Sequence, residues 1–265
     1  MTALTTLLLP PRRDHTLAMQ QGELMVPAPQ SSFDLAIVID VLRATSVMVT
    51  ALNAGAKSVT TCGTIQEARS LADRQQSEVV LCGERNCQKI TGFDLGNSPN
   101  EYQEASVLGK HVILTTTNGT AAIEAMNEVS SLIIASFLNL SIVVERMATA
   151  DSVCIVCAGT NGFVTAEDVL LAGALVWEME RLKGDTQLDD ASMLASAFWC
   201  NRLSISPQQT YFPDPLTLSR CLEQTLGGRN LLRLGFGKDL DTCSHINSQP
   251  VIPVRVQAKP SEFRL

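Results

Sequence analysis

The feature that most constrains this chain is a series of short, almost uninterrupted apolar runs rich in β-branched residues, each followed by a stretch of helical periodicity. The runs are FDLAIVID (33–40), KSVTTC (57–62), EVVLC (78–82), HVILTTT (111–117), SLIIAS (131–136) and SVCIVCAG (152–159). A strand wetted on one face alternates apolar and polar side chains; runs of this kind describe strands covered on both faces. Helices are predicted between them, over Ala44 to Ala54, Ile65 to Gln75, Asn100 to Leu108, Ala121 to Asn127 and Ser141 to Met147. Gly55 and Gly109 stand where helix C-caps belong. The expected fold is a three-layer α/β/α arrangement around a mostly parallel, or mixed, central sheet.

The remaining segments are less regular. Residues 165–230 carry longer helical patterns, Val169 to Lys183, Asp189 to Leu203 and Leu216 to Leu226, so 1–265 reads as one α/β domain with a helix-rich portion. A late run, VIPVRV (251–256), is expected to add a strand, and the tail after Lys259 to be frayed. Leu4 to Leu9 reads only as an apolar stretch ahead of a polar, proline-bearing segment.

Composition narrows the partners. The net charge of -7 comes without any Lys/Arg run, which argues against nucleic acid and acidic membranes as partners. Any anion must therefore be held by local groups. No run approaches the roughly 18 apolar residues of a membrane span, and the start lacks the charged region of a signal peptide, so a cytoplasmic location is expected. Eight cysteines scattered through a long chain read as buried free thiols. In SVCIVCAG, strand alternation sends Cys154 and Cys157 to opposite faces, so no zinc or redox site is expected there.

In an open α/β sheet, ligands gather where the strands end. After the first run comes Asp40, able to hold Mg²⁺ or attack phosphorus, followed by Arg43, Thr45 and Ser46 at a predicted helix start suited to an anion. A bland reading makes Asp40 a solvated turn acid and Thr45 or Ser46 a simple cap. TTTNGT (115–120) supplies hydroxyls and a flexible Asn-Gly turn to a phosphate, or only a common turn with Thr120 as N-cap. The stretch from Gly83 carries Glu84, Arg85, Asp94, Asn97 and Ser98, of which Ser98 before Pro99 reads first as a helix cap. Glu167 and Asp168 open a helix, where adjacent acids often only complement the dipole.

Taken in order, FDLAIVIDVLRATS, CGER, GFDLGNSP, TTTNGT and CAGTNG with its following Glu-Asp resemble the motifs of the 2-phosphosulfolactate phosphatase family, from about residue 33 to 173. The resemblance implies a Mg²⁺-dependent hydrolase that converts 2-phosphosulfolactate, or a related phosphorylated 2-hydroxy acid, to sulfolactate and phosphate, a step associated with coenzyme M synthesis. It points at Asp40, Arg43, Ser46, Glu84, Arg85, Asp94, Asn97, Ser98, Thr117, Asn118, Gly119, Thr120, Glu167 and Asp168. On this reading Asp40, with one or more of Glu84, Asp94, Glu167 and Asp168, holds Mg²⁺. Arg43 and the Thr117 to Thr120 loop take the phosphate, Arg85 the sulfonate or carboxylate, and either water or Asp40 attacks. One departure stands out: Asn86 follows Arg85 where the family pattern has glycine. The motif of haloacid dehalogenase phosphatases is absent, since Leu42 stands where it needs a second aspartate. Neither G-x-G-x-x-G nor a cysteine-phosphatase loop is present. A non-catalytic binding protein for small organic acids or phosphate esters is the competing reading, and a homodimer is left open.

Overall fold

The computed structural model describes residues 1–11, 33–206 and 209–265; the proline-bearing segment over 12–32 lies outside the described residues. The elements in chain order begin with β1 (Thr2–Leu7), β2 (Leu35–Ile39), α1 (Ala44–Asn53), β3 (Ser58–Cys62), α2 (Ile65–Arg74), β4 (Val79–Arg85), β5 (Gln88–Lys89) and α3 (Glu104–Val107). They continue with β6 (His111–Thr115), α4 (Gly119–Ala125), β7 (Leu132–Ala135), α5 (Leu140–Met147), β8 (Ser152–Cys157), α6 (Ala166–Lys183), β9 (Thr186–Leu188) and α7 (Asp190–Arg202). The chain closes with α8 (Pro215–Glu223), α9 (Leu226–Arg233), α10 (Gly237–Cys243), β10 (Val254–Ala258) and β11 (Ser261–Arg264).

All eleven strands join one sheet in the order β5-β4-β6-β3-β11-β10-β7-β2-β8-β1-β9. Two parallel blocks, β4-β6-β3 and β7-β2-β8-β1-β9, are joined by the β10–β11 hairpin, which pairs antiparallel with β7 on one side and β3 on the other. The sheet is thus mixed and mostly parallel. β2, between β7 and β8, shows why its sequence lacks alternation. Leu35, Ile37 and Ile39 pack with residues of α5, α6 and α7, while Ala36 and Val38 pack with α1 and α4 on the opposite face. Cys154 and Cys157 divide between the same two clusters, as alternation predicts, and all eight cysteines are free. Among the described residues no helix is long and apolar enough to cross a membrane.

Three expectations fail at the periphery. The tail after Lys259 is not frayed: β11 pairs Ser261, Glu262 and Phe263 with Thr61, Thr60 and Val59 inside the sheet, and Phe263 is fully buried. Four residues with two charges carry too little apolar signal to announce a strand; pairing from both sides supplies what composition lacks. Leu4 to Leu9 is more than an apolar stretch, because Leu4 to Leu7 belong to β1, which lies beside β8 in parallel register. Asn100 to Leu108 splits into a 3₁₀ turn (Pro99–Glu101) and the short α3, since Tyr102 is drawn inward and donates to Gly96 O at 2.7 Å. Phe263→Ala should lower the unfolding free energy by about 3–5 kcal/mol, read as a lower urea midpoint; a change near zero would mean β11 is dispensable.

Candidate active site

β2 is buried along its whole length, and Asp40, the next residue, is only 9% exposed. Thr45 clamps the turn. Its hydroxyl donates to Asp40 O at 2.9 Å and accepts the Asp40 N–H at 3.1 Å, so the carboxylate leaves the strand in a fixed direction. Asp40 Oδ1 accepts the Ala44 N–H at 3.3 Å. From the other side comes the start of α4, where a Cβ on Gly119 would stand 2.8 Å from both Asp40 Oδ2 and Ala44 Cβ. Only glycine allows that approach. Burial raises the Asp40 carboxyl to a pKa of about 7 against the pull of the Ala44 N–H, and the Glu84 and Glu167 charges add to the rise. The solvated turn acid of the bland reading is therefore not what is found.

Glu84 reaches this group from the end of β4. Its Oε2 accepts the Cys87 N–H at 2.7 Å, and its Oε1 accepts from the exposed Thr117 hydroxyl at 3.4 Å. The β4–β5 hairpin turns on Asn86 and Cys87, with φ of 56° and 63°. Two left-handed central residues define a type I′ turn, and asparagine is the side chain that best tolerates it after glycine. The departure at Asn86 thus preserves the backbone that glycine would give. Arg85 braces the region: its guanidinium donates to Glu84 O (2.7 Å), Gly63 O (3.0 Å) and Thr115 Oγ1 (3.0 Å).

Glu167 and Asp168, in the first turn of α6, are both 3% exposed. Asp168 accepts from the Val41 N–H (2.9 Å), the Gly159 N–H (3.0 Å) and the Thr165 hydroxyl (3.1 Å), joining the ends of β2 and β8 to the start of α6. Burial pushes its carboxyl well up, reinforced by the Asp40 and Glu167 charges. Glu167 is raised by burial too, opposed by its own N–H, by Thr225 and by Gly227 at the start of α9. A Cβ on Gly227 would lie 2.1 Å from Glu167 Oε1, while Oε2 is buried without a hydrogen-bond partner.

Arg43 is 3% exposed and meets a residue that the sequence reading passed over. Its Nη1 donates to Asp239 Oδ2 at 2.6 Å, its Nη2 to Cys87 O at 3.1 Å, and its guanidinium lies 4.3 Å from the Phe236 ring centroid. Asp239 Oδ1 accepts from Ser98 Oγ at 2.5 Å and Asn100 Nδ2 at 2.9 Å. Ser98 therefore spends its hydroxyl on Asp239 rather than capping the turn that follows it. The one hint of Asp239 in the sequence is an acid two residues after Gly-Phe-Gly, too common to single out.

The other candidates divide. Asn118 is the N-cap of α4 without a side-chain cap bond, and its Oδ1 instead accepts the Asn161 N–H at 3.1 Å, tying the loops after β6 and β8. Thr120, expected as the cap, is inside α4; its N–H and hydroxyl both meet Thr116 Oγ1 at 3.3 Å. Asn97 is buried with its Oδ1 unpartnered. Ser46 donates inward to Val41 O at 2.9 Å. Asp94 stands apart: it is exposed, and its Oδ2 accepts the Leu81 N–H at 2.8 Å, midway along β4. Asp40, Glu84, Glu167, Asp168, Gly119 and Thr117 are thus linked by direct contacts or by the charges they exert on one another, and Arg43 meets Glu84 through Cys87, whose C=O accepts from the arginine and whose N–H donates to the carboxylate; Asp94 joins through none of these.

Acids gathered at the ends of the strands, with a buried arginine three residues after Asp40, are groups suited to a phosphate ester. The family profile of 2-phosphosulpholactate phosphatase matches residues 25–258. The chain belongs to the 2-phosphosulfolactate phosphatase family. Relatives include proteins described as probable 2-phosphosulfolactate phosphatases from Thermotoga petrophila and Thermotoga maritima, each 40% identical over 233 residues, spanning 88% of this chain and 93% of the relative. Another from Deinococcus radiodurans is 35% identical over 232 residues, 86% of this chain and 90% of its own. For a magnesium ion, the orphaned buried Oε2 of Glu167 and the raised Asp40 are the fitting features, since both want a positive charge. Among the described residues no three acids, histidines or cysteines form a group that could hold a metal ion.

The Asp40 shift carries a sign. Its folded pKa near 7 lies above the ordinary 3.8, so folding takes up a proton between those values and stability falls as pH rises through that window. In chelator, Asp40→Asn should remove that loss, worth up to about 4 kcal/mol, and unfold at higher urea than wild type at pH 8 but at a similar midpoint at pH 4. Equal midpoints at pH 8 would place the Asp40 carboxyl in a better solvated setting than this.

Proposed function

We propose that this protein is a magnesium-dependent phosphatase that hydrolyses 2-phosphosulfolactate, or a closely related phosphorylated 2-hydroxy acid, to the free hydroxy acid and inorganic phosphate. The observation that carries the reading is the buried Asp40 carboxyl at the end of β2, on which the Glu84 and Glu167 charges act and against which Gly119 is packed. A phosphomonoester beside a second acidic group brings about three negative charges, and its hydrolysis needs cations and donors aimed at the transferring oxygens.

Asp40, with Glu167 as its partner, would hold Mg²⁺, which when bound supplies positive charge at the transferring oxygens. Asp168 is better suited to support, since its carboxylate is spent on Val41, Gly159 and Thr165. Arg43 takes the phosphoryl group with donors not used by Asp239 and Cys87, and the Asn118–Gly119 turn brings backbone close enough to join it. Arg85, braced by Gly63 and Thr115, offers its remaining N–H groups to the second acidic group of the substrate. Burial on both sides of β2 keeps bulk water from Asp40, which strengthens each of these interactions.

The test is phosphate release from a panel of 2-phosphorylated hydroxy acids, with Mg²⁺ and with chelator. Activity should require Mg²⁺ and favour substrates bearing a second acidic group, and Asp40→Asn should lose on the order of 10²-fold or more in kcat/KM. Tight binding of these esters without turnover in Mg²⁺ would make the protein a binder instead.

A further inference from the structure

Resting on that reading, we propose that Asp239 is a positioning residue for Arg43: with Phe236 it forms a guanidinium slot that sets the arginine toward the phosphoryl group. Asp239 is 2% exposed, and its two oxygens collect donors from two distant segments, Arg43 on one and Ser98 with Asn100 on the other. A buried ion pair is a poor device for stability alone, because desolvation consumes most of its Coulomb energy and apolar residues of the same volume serve as well. Its value lies in direction. A guanidinium carries five N–H donors; here one goes to Asp239, one to Cys87 O, and one face rests on Phe236 at 4.3 Å. Those three contacts fix the plane of the group and its rotation within it, and leave the other donors for a ligand.

The arrangement also gives the helix-rich end of the chain a part in the reaction. Phe236 and Asp239 lie at the start of α10, while Gly227, on α9, closes against Glu167. This segment therefore touches the cationic and the acidic side of the cluster together, and Asp239 sets the cationic side.

The experiment is chemical rescue. Arg43→Ala should lose most phosphatase activity, and added guanidinium chloride, kept well below denaturing concentrations, should restore it by about tenfold or more by filling the slot. In Arg43→Ala/Asp239→Asn the same addition should restore less than about twofold. Equal rescue with and without Asp239, or no rescue of Arg43→Ala at all, overturns the proposal. If the double variant does not fold, Arg43→Ala/Phe236→Ala serves: its half-saturating guanidinium concentration should rise about fivefold or more, and an unchanged value overturns the slot. Full activity in Arg43→Ala would instead remove Arg43 from the phosphate seat, and so fail the functional reading rather than the slot.

Discussion

The site depends on a carboxylate that need not touch substrate. Asp168 accepts hydrogen bonds from Val41, Gly159 and Thr165, and so fastens the exits of β2 and β8 to the first turn of α6. Backbone N–H groups at buried strand ends need partners, and one side chain supplies both. Because Val41 adjoins Asp40, and Glu167 adjoins Asp168, the same clasp brings two further acids into electrostatic range of each other. The cluster is held together by a group whose own negative charge, set beside those of Asp40 and Glu167, would make it harder to hold.

A second constraint is close approach. Gly119 lets the start of α4 reach Asp40, and Gly227 lets α9 reach Glu167, at distances where any side chain would collide. Neither glycine has a left-handed φ, so each is required by space rather than by backbone conformation.

Much of the architecture was legible in the chain. β2, β3, β4, β6, β7 and β8 fall on the apolar runs, because strands covered on both faces must be apolar nearly throughout. Asp40, Glu84, Gly119 and Glu167 were legible as site candidates, because polar residues directly after such runs sit where strands end and ligands collect. The local reading erred where a residue's partner was remote. Ser98 looked like a cap until Asp239 claimed its hydroxyl, and Asp94, expected among the ligands, gives one oxygen to the Leu81 N–H.

The sequence by itself determined the α/β class, the strands with their two covered faces, and the family, since each of these is written in local periodicity or in motifs a few residues long. Tertiary structure alone decided that the final hairpin enters the middle of the sheet, that Asp168 joins the loops after β2 and β8, and that Asp239 meets Arg43 across 196 positions of chain. The physical reason is the same in each case: a hydrogen bond or strand pairing made between distant segments leaves no periodic trace in either one.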